Sequence, residues 1–478
     1  MAISYLPKTA LNKTISKSLT LKLIAIAALV LIFLIPVSLV KGLVSERQFR
    51  QDNVAREVAS SWGGVQTIAG PVLAVPYSVT VKDQSQTRDV IEHAYFLPET
   101  FGVLGNVDVE IRSRGIYDVP LYTTKLTAKG IFNAPEIASL GLAPTQMRWG
   151  EAFLVLGIPD LRGVKEQIKL EWPGSNGIFR PGVTTAVVSS GVRAPVTLGL
   201  NEQGVPQPGR SYSYSITADL RGSEQLMFVP AAKTTDVKLT SVWPNPSFVG
   251  AFLPSERTVG DTGFTASWRV LDVNRNLPEK WTGNKAMLQF AFADGMVKPA
   301  AEPYRGGYYP DQPTVADGNS GVFGVRMFLP VDVYQKTMRS AKYGIAVIAL
   351  VFVVVFFVEL SAKRRVHPVQ YVLIGLALVI YYTLLLSLSE HLRFLYAYLI
   401  SSLAIIGMVT LFIKSVLESS TRAIMTGGIL TVFYLFVYVL LQLEDYALLL
   451  GSIALFLILA VIMMLSRRIN WYGEETAA

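Results

Sequence analysis

The chain contains no cysteine, and this absence excludes several kinds of chemistry. Without thiols there is no disulfide framework, no thiolate metal site and no cysteine nucleophile. Histidine is almost as scarce, with His93, His367 and His391 as the three examples. Few imidazoles are therefore available to ligate a metal or to act as a general base.

The sequence also lacks the motifs of common hydrolases and nucleotide-binding proteins, such as GxxxxGK[ST], HExxH and GxSxG. His93 lies in a predicted strand, VIEHAYFL, without a nearby serine or a metal-spaced partner, and is interpreted as an ordinary strand histidine. No catalytic residue, cofactor site or metal site is predicted. A pair of carboxylates of the glycosidase type stays open, because acidic residues are plentiful, but the sequence does not locate one.

Charged residues are few and apolar residues many. Charged residues make up 16% of the 478 residues and apolar residues 51%. With a mean hydropathy of +0.40, the chain is too apolar for an ordinary soluble protein. Six segments are long and apolar enough to cross a bilayer as helices, with no ionisable side chain in the middle of any of them. These segments are residues 23–40, 343–360, 369–388, 394–413, 424–441 and 446–465. The sequence therefore predicts a multi-pass α-helical membrane protein in contact with the lipid bilayer.

The net charge of +8 is distributed in a way that does not favour nucleic-acid binding. Residues 41–342 carry 31 Lys+Arg against 28 Asp+Glu, while the remaining residues carry 12 against 7. The excess lies beside apolar segments, where basic residues are retained in the cytoplasm. This predicts cytoplasmic segments at residues 1–22 and 466–478, a five-helix bundle over residues 343–465, and a periplasmic domain over residues 41–342. A cleavable signal peptide at the first span is the alternative, although no clear cleavage site follows it.

The segment between the first two spans changes from helical to strand character. The stretch VSERQFRQDNVAREVASSWGG has no alternation and predicts a helical stalk. Alternation with a period of two then begins in GPVLAVPYSVTV and recurs in SYSYSITADL and GFTASWRV. Further strands are predicted at VIEHAYFL, VDVEI, AFLVLGI, TTAVVSS, DVKLTSV and VFGVRMFL. The pattern predicts a large all-β, sandwich-like domain, as one sandwich or two, with a long surface loop at residues 293–321.

Two places are candidate partner contacts. In WPNPSFVGAF, Trp243, Pro244, Pro246 and Phe248 predict a rigid, aromatic-packed corner, because such prolines do not fit a central strand. Its functional alternative is a loop that docks a partner. Glu390 and His391 close the third span and are interpreted as the turn to the fourth, with a partner-sensing contact as the alternative.

Polar residues near the spans give little sign of transport. Glu359 and Lys414 lie close to segment ends, where they can reach the cytoplasmic interface. Tyr381 and Tyr382, near the middle of the third span, are interpreted as interhelical hydrogen-bonding and packing residues.

Several stretches in combination resemble the CreD family of inner-membrane, cell envelope integrity proteins over essentially the whole chain. They are LIPVSLVKGLVSERQFR, GPVLAVPY, GIYDVPLY, LTSVWPNPSFVGAFLP, HPVQYVLIGLALVIYYTLLLSLSEH and ALLLGSIALFLILAVIMMLSRRINWY. The resemblance implies a place in the regulon of a Gram-negative two-component system, with roles in envelope integrity, colicin tolerance and responses to cell-wall antibiotics. It implies no catalytic residues.

These observations lead to one main hypothesis and two alternatives. The main hypothesis is an inner-membrane protein whose periplasmic domain binds or scaffolds an envelope protein, a lipid or a glycan, and no nucleic acid. A membrane-anchored enzyme using a carboxylate pair in the β domain is the first alternative. A transporter is the second, and the uncharged spans argue against it.

Overall fold

The protein is described by a computed structural model, which covers residues 19–82, 87–183, 187–275, 277–283, 321–327, 333–362, 366–443 and 446–467. The chain divides into two compact units: Met1–Gln51 together with Val331–Ala478, and Asp52–Pro330. We call them the membrane unit and the β unit. The loop predicted at residues 293–321 lies outside the described residues except for Gly321.

The membrane unit is helical. Its helices are α1 (Leu19–Ile32), α2 (Leu34–Trp62, whose last turns belong to the β unit), α3 (Val333–Lys342), α4 (Gly344–Ala362), α5 (Pro368–Ser389), α6 (Phe394–Leu417), α7 (Ser420–Gln442) and α8 (Ala447–Ser466). Six segments are long and apolar enough to cross a membrane: Leu21–Trp62, which combines α1 with α2, and each of α4 to α8. The prediction of six membrane helices is confirmed, and α2 runs on to Trp62 through the predicted stalk.

The start of α5 shows how the sequence sets a helix boundary in this unit. Pro368 occupies the first helical position, where its missing N–H has no intrahelical partner. His367 Nδ1 accepts a hydrogen bond from the Val369 N–H at 3.3 Å, and the Gln370 side-chain oxygen accepts one from the His367 N–H at 2.9 Å. Backbone groups that a bilayer would leave unsatisfied are thus bonded within the helix or at its cap.

The β unit contains seventeen strands within the described residues. They are β1 (Gln66–Lys82), β2 (Thr87–Phe96), β3 (Thr100–Arg114), β4 (Tyr117–Asn133), β5 (Phe153–Gly157), β6 (Lys169–Trp172), β7 (Ser175–Ile178), β8 (Arg180–Pro181), β9 (Gly191–Pro195), β10 (Ser211–Ser223), β11 (Gln225–Phe228), β12 (Thr234–Ser241), β13 (Pro246–Gly250), β14 (Glu256–Gly260), β15 (Gly263–Leu271), β16 (Lys280–Thr282) and β17 (Phe323–Met327). One sheet has the order β13-β17-β11-β1-β5-β9-β8, with β2 and β16 attached beside β1. The other has the order β14-β15-β12-β3-β4-β10-β6-β7.

The two sheets enclose one continuous apolar core, so the unit is a single β-sandwich. The predicted alternation is confirmed, because the residues assigned to one face are the ones that are buried. In β10 these are Tyr212, Tyr214, Ile216, Ala218 and Leu220, and in β15 they are Phe264, Ala266, Trp268 and Val270. The backbone pairs β3 with β4 over fifteen residues, from Thr100↔Ile131 to Arg114↔Tyr117.

One predicted strand is wrong over its described part. TTAVVSS has the composition of a strand, but its described residues 187–190 form a turn and a bend. Val187 and Val188 are buried against the outer face of the nine-stranded sheet, in a second apolar cluster with Phe153 and Trp281. This sheet carries apolar residues on both faces, so the segment packs over the sheet as a cover and does not join it.

The close pairing of β3 and β4 predicts different effects for two glycine substitutions in it. A Cβ added at Gly130 would overlap the backbone oxygen of Thr100, whereas one added at Gly102 would lie 3.5 Å from the Lys129 oxygen, an ordinary contact. Gly130→Ala should therefore destabilise the β unit by about 3 kcal/mol, while Gly102→Ala should be neutral or stabilise it by up to about 1 kcal/mol. Urea unfolding of the full chain in detergent, monitored by the protease sensitivity of the β unit, measures the stability of both variants. Equal stability of the two variants would contradict this packing.

Candidate functional site

The segment after β12 forms the predicted corner. The Trp243 indole N–H donates to the Asn245 oxygen at 2.9 Å, and the Trp243 backbone N–H donates to Ser241 Oγ at 3.1 Å. Pro246 then begins β13, which is the edge strand of its sheet. A proline at the first position of an edge strand removes no hydrogen bond that the sheet needs.

The aromatic side chains of this corner face the core more than solvent. The Phe248 ring packs edge-on against Phe264 at 5.9 Å and Trp268 at 5.7 Å between centroids. Trp243, Pro244 and Pro246 are half-buried. The apolar side chains most exposed nearby are Val242 and Leu253, at 70% and 69%, which sequence analysis did not single out.

The turn after α5 belongs to the membrane unit. Glu390 is the C-cap of α5, and its carboxylate accepts a hydrogen bond from the Tyr334 hydroxyl at 3.2 Å. Arg47 Nε lies 3.7 Å from the same carboxylate, whose side chain is 10% exposed. His391 is exposed. Glu390 thus ties α5 to α2 and α3, while His391 is the member of the pair that faces outward.

A second carboxylate lies at the other end of α4 and α5. Glu359 is buried and pairs with the Lys22 ammonium. It also accepts hydrogen bonds from the Val366 N–H at 2.8 Å and the Tyr371 hydroxyl at 3.0 Å. The sequence placed Glu359 near a helix end but gave no sign of its pairing with Lys22. With three donors around it, this carboxylate is a fully bonded structural group.

The middle of the membrane unit holds aromatic hydroxyls. Tyr381 and Tyr382 are buried and meet edge-on at 4.9 Å, and the Tyr398 hydroxyl donates to the Tyr434 backbone oxygen at 2.7 Å. The packing of Tyr381 and Tyr382 agrees with the prediction, while their interhelical hydrogen bonds stay a prediction. A void of about 10 Å³ lined by apolar side chains lies elsewhere in the unit, and it holds at most one water-sized molecule.

A cleft of about 980 Å³ lies in the β unit, and we call it the edge cleft. It lies where the edge of one sheet, β6 and β7, meets the edge of the other, β9 and β8. Phe179, which is buried, is the single residue between β7 and β8, so the chain passes directly from one sheet to the other. The lining residues are Glu151, Phe153, Lys169, Leu170, Glu171, Asn176, Gly177, Ile178, Arg180, Pro181, Arg193 and Pro195.

Strand alternation places the polar side chains of the edge cleft. In β6, Lys169 and Glu171 are exposed while Leu170 and Trp172 between and after them are buried. Arg180, in the edge strand β8, is exposed as well. The sequence alone does not single out these residues, because each charged side chain occupies what looks like an ordinary solvent-facing position of a strand.

The floor of the edge cleft is aromatic and already covered. The Arg193 guanidinium lies 5.6 Å from the centroid of Phe153, whose side chain is 7% exposed. His93, in β2 as predicted, meets Phe153 edge-on at 5.7 Å. Burial lowers the pKa of the His93 imidazole and the positive charge of Arg193 lowers it further, against the opposing effect of Glu92. The imidazole is therefore neutral at neutral pH.

These sites present charged, hydrogen-bonding and apolar groups. Among the described residues, no group of three or more His, Asp or Glu side chains is placed to hold a metal ion. The edge cleft offers cationic donors, carboxylate acceptors and aliphatic surface to a ligand from solution.

The fold and these sites define a polytopic membrane protein that carries a β-sandwich between its first and second membrane helices. A model of the family "Inner membrane protein CreD" matches residues 18–472. The chain is also 31% identical over 457 residues to Inner membrane protein CreD of Escherichia coli (strain K12), covering 95% of this chain and 93% of that protein. The chain belongs to the CreD family and is a multi-pass inner-membrane protein.

The pairing of Lys22 with Glu359 predicts how the membrane unit responds to substitution. Glu359→Ala leaves the Lys22 ammonium without its carboxylate and should destabilise the unit by about 3–5 kcal/mol. The double variant Lys22→Met/Glu359→Gln should recover most of this loss, because it removes both charges together. Heat-induced loss of the folded protein in detergent, monitored by gel filtration, measures these changes.

The matched control is Glu46→Ala. Glu46 pairs with Arg50 at 2.7 Å on the exposed side of α2, and such exposed pairs contribute about 0.5 kcal/mol or less. An equal loss of stability in Glu46→Ala and Glu359→Ala would contradict the prediction that the buried pair of Lys22 and Glu359 stabilises the unit more than an exposed pair does.

Proposed function

We propose that this inner-membrane protein supports the integrity of the cell envelope by binding an envelope component through its β unit. The observation that carries the proposal is the edge cleft: about 980 Å³, open to solvent and lined by charged side chains on a rigid sandwich. Ligand sites are concave and combine apolar walls with a few placed polar groups. Stress from cell-wall antibiotics, detergents or colicins is the setting in which this binding supports the envelope.

The proposal includes an orientation. Both termini are in the cytoplasm and the β unit is periplasmic. The distribution of Lys and Arg beside the apolar segments supports this orientation. The edge cleft then meets envelope proteins, lipid headgroups and glycans, and not cytoplasmic molecules.

Two secondary contacts complete the proposal. The corner from Trp243 to Phe248, with the exposed Val242 and Leu253 beside it, offers an apolar surface to an envelope protein. At the turn after α5, His391 is the exposed group, while Glu390 fixes the turn from inside.

A membrane-anchored enzyme is the second candidate function, and one observation favours it. The edge cleft brings Glu151 and Glu171 into one cavity. Two carboxylates across a cleft are the minimum for glycoside hydrolysis. Glu151 is held by Arg148 at 3.3 Å and its side chain is 60% exposed, which is not the dry environment that a general acid requires.

The binding role predicts the behaviour of variants in a strain that lacks the protein. The double variant Lys169→Glu/Arg180→Glu reverses two charges in the edge cleft and should leave the strain as sensitive to detergent and cell-wall antibiotics as the deletion. Arg88→Glu, an exposed arginine of β2 outside the cleft, should restore growth as the natural chain does. Survival on graded detergent and antibiotic, with protein levels matched by immunoblot, measures the effect. Full rescue by the double variant, or a deletion strain with no phenotype, would overturn the role.

The orientation predicts the activity of alkaline phosphatase fusions, because this enzyme is active only outside the cytoplasm. A fusion after Gln203, in an exposed turn of the β unit, should be active, and a fusion after Glu418, between α6 and α7, should be inactive. A cytoplasmic reporter such as β-galactosidase should give the reverse result. An inactive phosphatase at Gln203 in a stably produced fusion would reject the periplasmic β unit.

A further inference from the structure

The geometry of the edge cleft points to one class of ligand. We propose that the edge cleft binds an anionic saccharide, with its charge carried by carboxylate or phosphate groups. The proposal rests on the binding role given above and names the ligand class for the same site. Its support is the combination of charge, hydrogen-bonding groups and aliphatic surface in the cleft.

The charge of the edge cleft favours an anion. Lys169, Arg180 and Arg193 line it on the cationic side, against Glu151 and Glu171. Glu151 already has a cation of its own, because Arg148 Nη1 lies 3.3 Å from its carboxylate. Among the remaining lining residues, the exposed Lys169 and Arg180 outnumber the exposed Glu171. Arginine is suited to such a site, because its planar guanidinium group can donate two parallel hydrogen bonds to a carboxylate or phosphate.

The other polar groups favour a ligand with hydroxyls. The Glu171 carboxylate accepts hydrogen bonds only, and the exposed Asn176 amide both donates and accepts them. A pure polyanion gains nothing from Glu171, whereas the hydroxyls of a sugar donate to it. The walls between these groups are aliphatic: Ile178, which is 45% exposed, and the exposed rings of Pro181 and Pro195. The C–H faces of sugar rings fit such surfaces.

The size and openness of the edge cleft suit an oligomer. Its volume of about 980 Å³ is at the upper end for small-molecule sites, which run from about 300 to 1,000 Å³. The space beside Gly174 and Gly177 is open, because a Cβ added at either glycine would have no heavy atom within 4 Å. A chain of sugars can therefore enter along the β6–β7 hairpin and leave the cleft again.

The edge strands disfavour an acidic peptide as the ligand. A peptide that adds to a sheet edge needs a row of backbone donors and acceptors. β7 has four residues, and β8 has two, of which Pro181 lacks the N–H. Short edges with proline are how proteins prevent strand addition.

A lipid tail and a nucleic acid fit less well. The large apolar side chains of the cleft floor, Phe153 and Leu170, are buried, so no apolar groove is open to an acyl chain. Phe153 is covered by Arg193 and offers no free ring on which a base could stack.

The test measures binding to the full chain in nanodiscs of zwitterionic lipid by calorimetry. The probes are tetragalacturonic acid, its fully methyl-esterified form, phosphorylated maltotetraose and neutral maltotetraose. At least one anionic sugar should bind about tenfold or more tightly than its neutral counterpart, since one lost charge-assisted contact corresponds to about that factor. The carboxylate and phosphate arms show which charge the cleft prefers. Equal binding of charged and neutral forms, or no binding of any sugar, would overturn the proposal.

Variants separate a saccharide site from a plain cationic patch. Arg180→Glu should weaken binding of the anionic sugar by about tenfold or more, while Arg88→Glu should leave it unchanged. Glu171→Ala should also weaken sugar binding, because the hydroxyls lose their acceptor. On a plain cationic patch, Glu171→Ala would strengthen the binding of the sugar and of a polyglutamate peptide alike, and that result would reject the proposal. Arg180 and Glu171 are both exposed, and melting curves of each variant verify that the fold is intact.

The results in nanodiscs and in cells test the ligand class and the envelope role separately. If cleft variants fail in cells but no sugar binds in nanodiscs, the binding role stands and the ligand belongs to another class, tested next with polyglutamate and with anionic-lipid nanodiscs. If the sugars bind but cleft variants rescue the deletion strain fully, the ligand class stands and the envelope role falls. Shortening of the bound oligosaccharide, detected by mass spectrometry and lost in Glu171→Ala, would identify the enzyme candidate and overturn simple binding.

Discussion

The apolar layer between the two sheets is the constraint on which the edge cleft depends, because its walls come from different sheets. Trp172 of β6 stacks on Tyr212 with ring centroids 5.4 Å apart, and its indole N–H donates to the Thr197 oxygen at 2.9 Å. Phe179 is buried at the crossing from β7 to β8. Buried aromatic side chains of this size contribute a few kcal/mol each to stability. They therefore hold in place the strands that carry the charged side chains of the cleft.

The two units handle charge in opposite ways, and the difference follows from their surroundings. In the membrane unit Glu359 is bonded to Lys22, Val366 and Tyr371, because an unpaired charge within a helix bundle in lipid is costly. In the β unit Lys169 and Arg180 stand on exposed strand positions, where water solvates their charges. Solvated cations that line a cleft are accessible to an external ligand.

The sequence predicted those features that arise from local patterns. Alternation in SYSYSITADL identified the buried side of β10, since each side chain of a strand faces one side of the sheet. The same rule failed for Val187 and Val188, whose β-branched side chains fit a strand but cover the outside of one. No local sequence pattern predicted the edge cleft. Its lining residues, between positions 151 and 195, meet only because the chain crosses from one sheet to the other between β7 and β8. Lys22 and Glu359 are 337 positions apart, and no periodicity records such a contact.

For the proposed binding role, the arrangement of the chain lowers the affinity that the edge cleft needs. In the sequence, the β-sandwich follows α1 and α2 and precedes α3 to α8, so helices of the membrane unit flank it at both of its ends. A tethered domain meets neighbouring ligands at an effective concentration set by the tether and not by the bulk solution. When the ligand is a polymer, many copies of a weak site engage it at once and each contact exchanges quickly. A shallow, charged and open cleft is suited to this use, whereas a closed pocket would be suited to retaining one small molecule.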